Sequence, residues 1–108
     1  MTDNDKVPEL TNGEFDDFAK KGIVVIDFFA EWCMPCITMG PIIVELAEKF
    51  RGKIKFGKVN VEENQELAEK FEVQSIPHLV VFKDGKPVGN FVGSVSGEEL
   101  EGKLKGLL

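Results

Sequence analysis

From Ile23 to Ala30 the chain reads IVVIDFFA, apolar at every position except Asp27. A β-branched and aromatic run without alternation predicts a strand covered on both faces, the pattern of parallel sheets. Further on, Met39, Ile42, Ile43, Leu46, Ala47 and Phe50 recur at the i, i+3, i+4, i+7 spacing of a helix, which predicts one from Met34 to Phe50. Pro41 falls inside it, removes a donor and crowds the carbonyl of Ile37, so a kink is predicted there. Gly52 then breaks the chain before KIKFGKV, a second strand over 53–59. Strand, helix and strand in this order predict a right-handed crossover.

Shorter signals complete the pattern. Thr11 and Glu14 have capping-box spacing ahead of Phe15 and Phe18, predicting a helix over 12–20 that Gly22 ends. Leu67, Ala68 and Phe71 turn one face of a helix near 64–71 inward. HLVVF and PVGNFV flank Lys83-Asp84-Gly85-Lys86, and Asp-Gly between two apolar runs predicts a tight hairpin. Ser96 and Glu99 form a second capping pair before Leu100, Leu104 and Leu107. The layout is α/β, a mixed sheet with helices on both faces, with no repeat or linker to divide it.

Composition narrows the class. At 108 residues the chain holds one core, so a single domain over 1–108 is expected. Net charge is −6 and Lys and Arg are scattered, which argues against a nucleic-acid backbone binder. No apolar run approaches the roughly 20 residues that span a bilayer. MTDNDKVPEL lacks the basic start and apolar stretch of a secretory signal, so a cytoplasmic protein is expected.

Two cysteines are too few for a disulfide scaffold, and in a reducing compartment a close pair is more often catalytic or metal-binding. Cys33 and Cys36 stand where the first strand ends and the long helix begins. Free N–H groups and the positive end of the helix dipole stabilise an anion there, so Cys33 should ionise more readily than a free thiol. Cys36, one turn inside, should be more buried and less acidic. Cys33 would then attack a substrate disulfide and Cys36 would resolve the mixed disulfide. Pro35 between them keeps the turn tight. A structural zinc site uses the same spacing but needs four ligands, and only the sole histidine, His78, could join the pair. Two inert thiols fit a helix start poorly, because that position exposes the first. Asp27, buried in a strand apolar on both faces, is either a hydrogen-bonded core acid or a proton acceptor for Cys36; its costly burial favours the second. Lys58 in the next strand could modulate it. Pro77, just before a strand, can adopt a cis bond, although trans is the default.

Taken together, VVIDFFAEWCMPC, SIPHLVVF, FKDG and FVGSVS, in that order and over nearly the whole chain from about residue 10, resemble the thioredoxin family. The resemblance implies the thioredoxin fold, with a central mixed sheet of four to five strands and four flanking helices. It implies a general protein-disulfide reductase, monomeric, with no cofactor beyond the redox-active Cys33–Cys36 disulfide and with no nucleic acid or membrane partner. It makes Cys33 the nucleophile, Cys36 the resolver, Asp27 the buried acid and Pro77 a cis-proline facing the disulfide. Trp32, Met34, Pro35, Ile76, Pro77, Val92 and Gly93 would form the docking surface, with substrate lying as an extended strand on the Ile76 backbone. Thioredoxin reductase would be the electron donor and disulfide-containing proteins the substrates. Met34 stands where the family motif has glycine, Ile37 where lysine is common, His78 where threonine is usual and Phe29 where tryptophan is common. These departures bear on potential and partner preference, not on the chemistry. The competing readings are a disulfide oxidase or isomerase, and a metal-carrying or binding module built on Cys33, Cys36 and His78.

Overall fold

The computed structural model describes residues 6–108; residues 1–5, which begin the stretch read as lacking a secretory signal, lie outside it. Its elements run α1 (Asn12–Ala19), β1 (Ile23–Phe29), α2 (Met34–Lys49), β2 (Ile54–Asn60), α3 (Gln65–Lys70), β3 (His78–Lys83), β4 (Lys86–Val92) and α4 (Gly97–Lys105). All eight were legible in the sequence, with ends shifted by a residue or two. Helix α2 runs through Pro41 as one element.

The four strands stand in the order β2-β1-β3-β4, with β1 parallel to β2 and antiparallel to β3, and β3 antiparallel to β4. Two central strands buried on both faces explain the unbroken apolar runs of β1 and β3. Side chains of β1 alternate between two cores. Ile23 and Val25 pack with Met39, Ile43 and Leu46 of α2 and Leu100 and Leu104 of α4. Val24, Ile26 and Phe28 pack with Phe15 of α1 and Leu67 of α3. Asp27 follows the register of Val25 and so belongs to the α2 side.

The β3–β4 turn places Asp84 at φ 51° and Gly85 at φ 88°, the left-handed pair that a two-residue hairpin requires. Asp84 also accepts a hydrogen bond from the Gly22 amide at 2.9 Å, which ties this turn to the start of β1. In β4 the register slips between Gly89, opposite Val81, and Pro87, opposite Phe82, leaving Val88 as a bulge. At the other margin, β2 does not stand open. Lys58 donates to Pro8 O at 2.9 Å and accepts from the Leu10 amide at 2.8 Å, a pairing for which the sequence carried no strand signal. Capping follows the predicted pairs: Glu14 accepts from the Thr11 amide at 2.9 Å, and Ser96 from the Glu99 amide at 3.0 Å.

Candidate redox site

The site begins where β1 hands the chain to α2. The Cys33 amide donates to Ala30 O at 3.2 Å, and Cys33 then caps α2 with extended backbone, φ −86° and ψ 106°. Pro35, in the first turn, lacks only an N–H that no helical carbonyl would have accepted. The Cys36 amide donates to Cys33 Sγ at 3.2 Å, and a disulfide joins the two residues with their Cα atoms 5.2 Å apart. One amide of the first turn, that of Cys36, is thus aimed at the sulfur of Cys33, the atom at which a thiolate gains most from it.

One expectation is corrected here. Cys33 and Cys36 are equally buried, at 4% and 5% exposure, so access does not distinguish them in the disulfide form. Both cysteines form one buried cluster with Ala30, against which Phe29, Val61 and Ile76 pack. The difference between the sulfurs is the hydrogen bond from the helix backbone to Cys33.

Asp27 is buried, flanked by Lys58 on β2 and Leu79 on β3. Its Oδ1 has no hydrogen-bond partner. Burial pushes the carboxyl up from its ordinary 3.8 to about 7, and the charge of Lys58 works in the opposite direction. The Lys58 ammonium lies over the Phe29 ring, 5.3 Å from its centroid. The acid is therefore poised to exchange a proton near neutral pH.

The rim is apolar and open. Trp32, Met34 and Val92 are all more than half exposed, as is Ile37. The Ile76–Pro77 bond is cis, and Pro77 O accepts from the Gly93 amide at 2.8 Å, which joins the loop before β3 to the end of β4. Gly93 sits at φ 87°, where a side chain would be strained. Ile76 packs against the cluster of Ala30, Cys33 and Cys36, and Trp32, Cys33, Cys36, Ile76, Pro77 and Gly93 stand at one end of the sheet.

His78 goes elsewhere. It pairs with Phe28 on β1, its ring edge-on to that phenyl at 6.5 Å, on the face covered by α1 and α3. Its Nδ1 is buried without a partner, and burial lowers its pKa from 6.5. It does not join the cysteines, and among the described residues no three of His, Cys, Asp and Glu converge as a metal site.

Sequence reasoning missed the loop that holds Trp32. The indole N–H donates to Glu62 Oε2 at 2.6 Å. Asn60, buried at the end of β2, accepts from the amides of Glu62 and Glu63 at 2.9 and 3.3 Å. Its carbonyl accepts from the Asn64 side chain at 3.1 Å, and Asn64 in turn accepts from the Asn12 amide at 3.1 Å. The available signal was Asn60 at the end of an apolar strand with Glu62, Glu63 and Asn64 two to four positions on, the pattern of an Asx turn.

The thioredoxin family model matches residues 6–106. The chain is 45% identical over 94 residues to a thioredoxin of Staphylococcus saprophyticus, covering 87% of this chain and 90% of that protein. It is 43% identical, with the same coverage, to a thioredoxin of Staphylococcus aureus. The mixed four-stranded sheet with four helices and the closely spaced Cys33–Cys36 disulfide at the start of α2 agree with these matches. On this combined ground the chain belongs to the thioredoxin family, and it is a dithiol–disulfide oxidoreductase of that type.

Proposed function

We propose that this protein is a general protein-disulfide reductase that works through a Cys33–Cys36 dithiol. The observation that carries the reading is the sulfur of Cys33 at the cap of α2, receiving the Cys36 amide. In the reduced form that hydrogen bond and the helix dipole favour the Cys33 thiolate. The thiolate attacks one sulfur of a substrate disulfide; a Cys33–substrate bond forms, the substrate S–S bond breaks, and the other substrate sulfur leaves as a thiolate. Cys36 then loses its proton to Asp27, whose unpartnered oxygen and pKa of about 7 suit a base at neutral pH. The Cys36 thiolate attacks Cys33 Sγ, releases the second substrate thiolate and closes the Cys33–Cys36 disulfide. Two electrons have passed to the substrate, and the departing thiolates take up protons from water and Asp27.

Substrate docks as an extended strand along Ile76 and cis-Pro77, over Trp32, Met34, Pro35, Val92 and Gly93. Lys58 limits how far the Asp27 pKa rises. A flavin-dependent thioredoxin reductase returns the disulfide to the dithiol, and the protein acts as a cytoplasmic monomer in which residues 1–108 form one domain. Substrate trapping tests the roles. Cys36→Ser should accumulate mixed disulfides through Cys33, and Cys33→Ser should lose turnover without trapping. Trapping by Cys33→Ser instead would reverse the assignment.

A further inference from the structure

The rim around the cysteines is charged on one side. Glu31 precedes Trp32 in the chain, Glu62 accepts the Trp32 indole N–H at 2.6 Å, and Glu63 shares the Asn60 turn with Glu62. No lysine or arginine occurs from Gly22 to Glu48, so the β1–α2 junction carries no cation of its own; the one cation on α2, Lys49, stands in its last turn and is paired with Glu101 at 3.1 Å. Neither Glu31 nor Glu63 is paired with a cation among the described residues. Lys58 is only half exposed and lies over the Phe29 ring. Across the surface, beside Val92, Lys70 and Glu72 border the same cleft and offset each other. An apolar platform of Trp32, Met34 and Ile37 is therefore bordered by uncompensated carboxylates.

We infer that this surface selects disulfides flanked by lysine or arginine, discriminating against those flanked by acids. The inference rests on the reductase reading above. Glu62 is the central element, because the Asn60 turn and the Trp32 hydrogen bond hold its charge in place before substrate arrives, so little side-chain order is lost on binding. Successive same-face side chains of an extended strand lie about 7 Å apart, so a cation two residues from the attacked cysteine remains beside the rim. Exposed charges of this kind act mainly on encounter and on rejection of like-charged partners.

Three peptides of one length, each with an internal disulfide flanked by Lys, Ser or Glu, test this. Cationic neighbours also make a disulfide intrinsically easier to cleave, so each kcat/KM is divided by the rate at which dithiothreitol, a neutral dithiol, reduces the same peptide. The normalised Lys-to-Glu ratio should be about 10 at low ionic strength and fall toward about 2 in 0.5 M salt. Glu62→Gln removes the charge while leaving an amide oxygen to accept from Trp32, and should lower the ratio. The double variant Glu31→Gln, Glu62→Gln should bring it close to unity. A normalised ratio near one in the parent, or one that neither salt nor the double variant changes, overturns the inference. Failure to reduce the Ser peptide would overturn the reductase reading itself.

Discussion

Replacing Asp27 with asparagine should stabilise the oxidised protein, by an amount that depends on pH. In the unfolded chain this carboxyl loses its proton around its ordinary 3.8, whereas in the fold, buried and with Oδ1 unpartnered, it holds the proton up to about 7. Between those values the folded state binds more protons than the unfolded one, so stability falls as pH rises through the window. The difference between 3.8 and about 7, at about 1.4 kcal/mol per tenfold change in proton affinity, comes to about 4 kcal/mol. Asparagine has nearly the same shape and no proton to lose. The stability difference, variant minus parent, should therefore grow by about 4 kcal/mol from pH 4 to pH 8. His78 contributes with the opposite sign, since its lowered pKa adds stability as pH rises toward 6.5, but it does so in both proteins and cancels. Urea unfolding followed by Trp32 fluorescence, at intervals of pH, measures the difference directly. A difference that stays flat across that range would mean Asp27 ionises in the fold as freely as in water. It would then be a poor proton acceptor for Cys36.

Other perturbations probe separate parts of the structure. Lys58→Met removes the charge that opposes burial, so Asp27 should titrate above about 7 when its carboxyl carbon is followed by NMR; an unchanged midpoint would show that Lys58 does not reach it. At Gly57 a Cβ would lie 2.9 Å from Leu10 Cδ1 and 3.0 Å from Phe18 Cε1, so Gly57→Ala should cost about 1–3 kcal/mol in urea unfolding. A neutral result would mean α1 and the Leu10 segment yield easily. Leu100→Ala empties a fully buried site between α4 and the sheet and should cost about 2–5 kcal/mol; less than 1 kcal/mol would argue that α4 packs loosely.

The central strands and α2 were readable because their burial is written as hydrophobic pattern, and the Asp84-Gly85 turn because only certain residues accept its backbone angles. Cys33, Cys36 and Asp27 stood out for a related reason: each breaks a pattern at a strand–helix junction. What the pattern did not carry is contact between segments distant in sequence. Trp32 meets Glu62 across 30 positions, and Asn12 meets Asn64 across 52. None of these residues stands out in the sequence for that contact until the fold brings its partner. The Pro8–Leu10 pairing escaped for the opposite reason, being too short to show any period. The equal burial of the cysteines was also hidden, since it depends on Phe29, Val61 and Ile76 closing over the helix start from three separate segments.

The margins of the sheet have a consequence for how copies of this protein meet. A row of free strand donors and acceptors is a template on which further chains can grow. Here β2 is already faced by Pro8–Leu10, and β4 presents Pro87, which has no N–H, next to a bulge at Val88. Both flanks are thus interrupted, which disfavours sheet-to-sheet growth when folded molecules crowd. Growth from the β2 margin would require the 8–10 segment to peel away from Lys58 first. Three residues without any strand signal thus act as a stop on the β2 margin of the sheet.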